Sequence, residues 1–412
     1  MSVARPRLAP ADELVARLRR ATEPRSIAIL GIALGILALW LSLPPFTLRN
    51  VVAPLAVAIA GASAGLWSLT REERKLGWWA IGVSALGVLC AAWFQSEDSA
   101  ELESVFSVGL VAATLRFAAP LAFAAIGGIF SERSGVVNIG LEGMMLAGAF
   151  FGIVVVAETG QWELGILGAM AAGGILALIH AFFSIHLQAD QIISGFAVNF
   201  LALGVTGYLF RSIYGRTGTP ELSEEIPDIR LPVIDDIPYV GDVFGRLNLM
   251  IWMMLLLVLF AAIVLFKTPI GLRIRSVGEH PRAADTVGIS VYGVRYAAVV
   301  FSGMLAALGG AYISFGFGNA FNENMTQGRG FIALAAVIFG SWRPFGAFGA
   351  CLLFGFSSAL ALRLQGSSLL PSDLASANLL STLPYVLTLI ALVGVIGRSR
   401  GPAAAGRPYV KQ

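Results

Sequence analysis

Between Pro120 and Gly148 the chain reads PLAFAAIGGIFSERSGVVNIGLEGMMLAG, and here side chains able to do chemistry interrupt an apolar background. An apolar helix runs into Gly127 and Gly128, breaks over Ser131 to Gly135, and restarts with Asn138 and Glu142 inside the next apolar run. A carboxylate placed in hydrocarbon costs roughly 2.5–3.5 kcal/mol on insertion scales, so Glu142 must face a protein interior or a water-filled path. Broken helices at such depth are tolerated only where they line a cavity or pack in protein. Two readings of Glu142 follow: a place in a translocation path or its gate, or an ion pair with Arg133 one turn inside the boundary. Helical spacing puts Asn138 on the same face as Glu142, about one turn away. Neutral amides that could pass a small polar solute are Asn199, Asn319, Asn322, Asn324 and Gln327. The last four sit in one link, where helix capping is the alternative use.

A second stretch, TPIGLRIRSVGEHPRAADTVGISVYGVR, follows Lys267 and is too polar to be buried in a membrane. Pro281 suits the first position of a short helix and Gly288 suits its end. Ala283 and Ala284 give that helix a small side, which fits docking into a groove of another protein. An amphipathic connector is the alternative.

Other chemistries find no support. No GxxxxGK[ST] signature occurs and there is no Gly-Lys dipeptide, so the chain is not expected to be its own ATPase. HExxH and GxSxG are absent as well. His180 and His186 are six apart and do not share a helix face closely, which argues against a metal site. Cys90 and Cys351 lie in apolar runs, where a lone thiol acts as a small hydrophobe. The basic residues are scattered and the net charge is only +3, so no nucleic-acid partner is expected.

The elements that must carry these groups are membrane helices. Of 412 residues 57% are hydrophobic and 13% charged, against about 25% charged in soluble proteins. That supply cannot cover a water-facing surface, which excludes a soluble enzyme, and so high a hydrophobic share excludes a disordered chain, which requires low hydrophobicity. A helix needs about 20 apolar residues to span a bilayer. Twelve runs approach that length, from Ser26–Pro44 to Leu380–Ile396, and Phe331–Gly340 is too short to cross unaided. The expectation is an all-α polytopic protein of about twelve transmembrane helices. The first run lacks a small-residue cleavage site after it and is read as an uncleaved span.

Arg and Lys gather in the N-terminal tail, at Arg71 to Lys75, at Lys267 to Arg282, at Arg343 and in the C-terminal tail. The opposite links are acidic: Glu97, Asp98, Glu101 and Glu103 stand without a base, and 211–247 holds seven acids against four bases. Basic links stay inside, so both termini are expected in the cytoplasm. The chain then divides into a tail and N-terminal helices (1–104), a working core (105–397) with an outside flap (211–247) and a cytoplasmic loop (267–290), and a cytoplasmic tail (398–412). Gly61 with Gly65, and Gly148 with Gly152, are small pairs suited to close helix packing.

Gly271 to Ser290 resembles the cytoplasmic coupling loop of ABC-importer permeases in the branched-chain amino-acid, ribose and nucleoside superfamily. SERSGVVNIGLEGMM is similar to the signature of the nucleoside branch, which works with basic-membrane-protein-type binding lipoproteins. The likeness runs from about Leu110 to Leu392 and includes GRGFIALAAVIFG (Gly328 to Gly340). It implies an ABC-importer permease fold in a bacterial plasma membrane, with two N-terminal spans extra to a ten-helix core. It also implies a second related permease, a cytoplasmic ABC ATPase that uses the ATP, an extracytoplasmic substrate-binding lipoprotein and a nucleoside or simple-sugar substrate. The permease itself would hold no cofactor. Pathway candidates are then Asn138, Glu142, Asn199, Asn322 and Gln327; coupling candidates are Glu279, Pro281, Ala283, Ala284 and Gly288. A twelve-helix secondary carrier for a small polar solute is the rival reading.

Overall fold

The computed structural model describes residues 24–42, 52–71, 74–93, 105–215, 218–220, 226–237, 240–365, 380, 382–386 and 401–411. They are helical almost throughout. Eleven of the twelve apolar runs form helices among these residues. The twelfth, Leu380–Ile396, lies mostly outside them. Among the described residues seven helices are long and apolar enough to cross a membrane. The chain falls into two compact units that divide between Gly109 and Leu110.

The first unit contains α1 (Pro24–Ser42), α2 (Val52–Leu69) and α3 (Arg74–Trp93), which pack on one another. Gly61 meets Gly31 and Ser84, and Gly65 meets Gly77 and Ala80, so these small residues set how closely the helices approach.

In the second unit, α4 (Val108–Arg133) is followed by α5 (Leu141–Thr159), α6 (Trp162–Ala181) and α7 (Gln191–Tyr214). Among the described residues of the 211–247 link, an antiparallel pair, β1 (Asp228–Arg230) with β2 (Arg246–Asn248), encloses a helical turn, Pro232–Asp235, and a π-helical turn, Gly241–Gly245. Next come α8 (Leu249–Lys267), α9 (Pro269–Glu279), α10 (Pro281–Thr286) and α11 (Val291–Ala311), which runs on through a π-helical segment, Tyr312–Phe317. The unit continues with α12 (Arg329–Phe339) and α13 (Pro344–Gln365).

The centre of this unit is the triple crossing of α5, α6 and α11. Ala307 of α11 lies against Gly148 and Gly173, so the backbones come close with little side chain between them. Dispersion and shape rather than amphipathic sorting hold such a crossing, because lipid is as apolar as the helices. On the outer faces Leu167, Ile193, Phe200 and Leu256 are exposed, as lipid-facing residues would be.

Eleven residues of α12 span only about 16 Å at 1.5 Å each, roughly half a bilayer core. Phe331–Gly340 is therefore a half-helix that begins at Arg329 and does not extend back into a full span.

Candidate functional site

After Arg133 the chain leaves the helix, turns at 134–135 and runs without helix through the protein interior to a second turn at 139–140, before α5 begins. Gly135 has φ +93°, a left-handed turn that L side chains resist, and it reverses the chain at that point. Ser134, Gly135 and Val136 bond back to the Ser131 and Glu132 carbonyls, and the rest of this buried stretch must find its hydrogen bonds elsewhere. Side chains of three helices, α6, α7 and α11, supply them. Val137 N–H donates to Gln191 Oε1 at 2.7 Å, and the Val137 carbonyl oxygen lies 3.1 Å from His180 Nε2. His180 Nδ1 is 3.0 Å from Ser194 Oγ, so the ring donates through Nε2 and accepts through Nδ1. Asn138 Nδ2 donates to Ser302 Oγ at 3.0 Å. Asn199 Nδ2 donates to the Ile139 carbonyl, and Asn199 Oδ1 accepts from Gly143 N–H at 2.8 Å. Asn199 thus serves a first-turn donor of α5 that no residue of that helix can. Ser302 lies eleven residues into α11 and Asn199 eight into α7, so α5 starts roughly 12–16 Å along its neighbours.

Glu142, in the first turn of α5, faces the N-terminus of the half-helix α12. Its Oε1 accepts from Thr326 Oγ1 at 2.6 Å and Gly328 N–H at 2.8 Å, and its Oε2 accepts from Gly330 N–H at 2.6 Å. One carboxylate therefore neutralises the positive ends of two helices that both begin in mid-protein. The ion pair with Arg133 does not form. Arg133 instead donates from Nε to the Trp342 carbonyl and from Nη2 to the Ser341 carbonyl. The shared face with Asn138 is also absent, because Asn138 precedes the helix and turns toward Ser302 while Glu142 turns toward Thr326.

The last residues of α4 grip the other end of α12. Trp342 Nε1 donates to Glu132 Oε2, a buried carboxylate. Ser341 and Trp342 both have φ of +54°, an uncommon backbone for non-glycine residues. Residues 132–142 thus hold α12 at its start and just past its end. Sequence reasoning missed Glu132, Thr326, Trp342, His180, Gln191 and Ser302 as parts of this framework. The Gly328-Arg329-Gly330 run was the one available signal, since two glycines around a helix start allow a close approach.

The loop helices α9 and α10 lie beside this break: Gly278 packs on the Arg133 carbonyl, where a Cβ would not fit. Pro281 takes the first position of α10, as its fixed φ suggests. Gly288 stands at φ +84° just past the helix end. Glu279 Oε2 accepts from Ala403 N–H at 3.2 Å. The expected two-alanine outer side is not there. Ala283 is exposed, but Ala284 is 3% exposed and packs with Val277, Val291 and Tyr409. Neighbouring positions on a helix point about 100° apart, so only one of the two can face outward.

Of the link amides, Asn322 and Asn324 are exposed, and Asn324 has φ +55°. Gln327 lines a cavity of about 490 Å³ with Phe117, Arg329, Phe354, Ser358 and Tyr385. Asn319 lines a second of about 490 Å³, nearer the flap, with Arg116, Asp228, Arg246, Asn248 and Phe317. Among the described residues no three His, Cys, Asp or Glu side chains gather as a metal site.

The model of the family described as "Branched-chain amino acid transport system / permease component" matches residues 110–394. The chain belongs to this permease family. It is similar to the guanosine ABC transporter permease protein NupQ of Bacillus subtilis (strain 168), 47% identical over 312 residues, 73% of this chain and 96% of that protein. A second guanosine permease of that strain, NupP, is 25% identical over 374 residues, 87% of this chain and 99% of its own length. The nucleoside ABC transporter permease protein NupC of Lactococcus lactis subsp. cremoris (strain MG1363) is 39% identical over 313 residues, 73% and 96% of the two chains. TsgC13 of Haloferax volcanii, whose name assigns it provisionally to glucose, is 37% identical over 305 residues, 70% and 91%. No solved structure matches. A permease of an ABC system carries solute across the membrane; it is not itself an enzyme.

Proposed function

We propose that this chain is the membrane permease of an ABC importer for nucleosides. The observation that carries the reading is the 47% identity to a guanosine permease across 96% of that protein's length. The buried half-helix supports it, since unwound segments and helix N-termini at mid-depth are how transporters line a path.

In this reading Glu142 and Asn199 position the broken helices, because their polar atoms are directed at protein groups, and Asn138 does so through the amide that donates to Ser302. Gln327 and Asn319 are amides that line cavities. Asn322 stays at the surface of the link. Glu279, Pro281, Ala283 and Gly288 shape the loop that a cytoplasmic ATPase drives, and Ala284 holds that loop to the body. Twelve spans with both termini in the bacterial cytoplasm fit the charge split between 211–247 and 267–290. The similarity to both NupQ and NupP, two permeases that share a guanosine name in one organism, supports pairing with a second related permease. A binding lipoprotein outside, and ATP consumed only by the partner ATPase, complete the system.

The test is reconstitution with the second permease, the ATPase and the binding protein in liposomes, with labelled guanosine, adenosine, ribose and glucose compared. ATP-dependent uptake of the nucleosides is expected. Uptake of glucose alone, or uptake driven by an ion gradient without ATP, would overturn the reading.

A further inference from the structure

The two cavities of about 490 Å³ each fall within the roughly 300–1,000 Å³ typical of small-molecule sites. Phe117 lines the inner one and Phe317 lines the outer one. Their rings are 5.8 Å apart and tilted by 59°. The aromatic pair therefore stands between two chambers that differ in chemistry. The outer chamber carries the Arg246–Asp228 pair at 3.3 Å and Arg116, beside the amides of Asn248 and Asn319. The inner chamber offers Gln327, Ser358 and Tyr385 with the cation Arg329 at the start of α12, and is otherwise more apolar.

We propose that Phe117 and Phe317 form a gate between an outer loading chamber and an intramembrane chamber, and that a nucleoside passes by stacking its base on these rings. The proposal rests on the nucleoside reading above and adds its route. A base has an apolar face for a ring and polar edges for amides and hydroxyls, which is the mixture both chambers present. Phe317 is suited to move. It is 54% exposed and is the last residue of the π-helical segment that ends α11, a geometry often found at functional positions. Phe117 sits on α4, whose neighbouring residues Ala118 and Ala119 are fully buried, so it is the fixed half of the pair.

The experiment uses the full transporter in liposomes with labelled guanosine. Phe317→Ala is expected to let preloaded guanosine leak several-fold faster than the parent without ATP, because the barrier between the chambers is gone. Gln327→Ala combined with Ser358→Ala should leave the leak at parent level and raise the KM for ATP-driven uptake about tenfold, as loss of inner contacts predicts. Phe317→Tyr keeps the ring and should restore tightness, which guards against a merely misfolded alanine variant. Parent-level leak in Phe317→Ala together with an unchanged KM in the double variant would overturn the route. Failure of the parent transporter to take up guanosine would instead overturn the nucleoside reading, so the two failures are separable.

Discussion

The Glu142 carboxylate and the Gly330 amide meet at 2.6 Å, joining the first turn of one helix to the first turn of another deep inside the protein. A Cβ on Gly330 would lie 2.5 Å from Glu142 Cα, so the bond exists because residue 330 has no side chain. The carboxylate accepts one hydroxyl and two amide hydrogens, and charge-assisted bonds of this kind are about twice as strong as neutral ones.

Removing that carboxylate leaves the Thr326, Gly328 and Gly330 donors without a partner. Each buried unmet donor costs about 1–3 kcal/mol. Glu142→Ala is expected to lower the thermal stability of the detergent-solubilised permease and abolish most uptake. Glu142→Gln turns one acceptor into a donor aimed at another donor and should be nearly as harmful. Arg133→Ala, which touches neither helix start, should add independently to Glu142→Ala in a double-mutant cycle of thermal stability.

Gly330→Ala tests the close approach directly. The methyl group must push α12 from α5 or break the amide–carboxylate bond, and overpacking of this type costs about 1–3 kcal/mol. A fall in melting temperature with loss of transport is expected. Gly349→Ala is the control, since nothing lies within 4 Å of a Cβ there, and it should behave as the parent.

On the loop helix the two alanines should respond differently. Ala284→Arg forces a charge into the Val277, Val291 and Tyr409 cluster, a loss of about 3 kcal/mol or more, and should destabilise the loop itself. Ala283→Arg leaves that cluster intact and places its charge outside. Its expected effect is reduced retention of the ATPase on affinity-tagged permease with an unchanged melting temperature. Equal retention by Ala283→Arg and parent would show that this face does not dock.

Orientation is testable by labelling. Val233 on the flap is 82% exposed and Val287 on the loop 74% exposed. In intact cells an impermeant maleimide should label Val233→Cys and spare Val287→Cys, and permeabilisation should expose the second. The reverse pattern would invert the topology.

The sequence by itself determined the class of protein and the position of its helices. Too few charges for a soluble surface, and apolar runs of bilayer length, leave little other than a helical membrane protein, because backbone groups in lipid must bond within their own segment. It also marked Phe331–Gly340 as too short and 120–148 as broken. Who bonds with whom was decided only by the tertiary structure. Arg133 is near Glu142 in the chain, which made an ion pair a reasonable expectation. A helix start 186 and more residues away claims the carboxylate instead, since two helix N-termini supply the positive charge an arginine would have supplied. Ala283 and Ala284 likewise read alike in sequence, and only the packing of Tyr409 against one of them separates inward from outward. Spacing along a chain reports which face a residue occupies within its own helix, and contacts between distant segments lie beyond its reach.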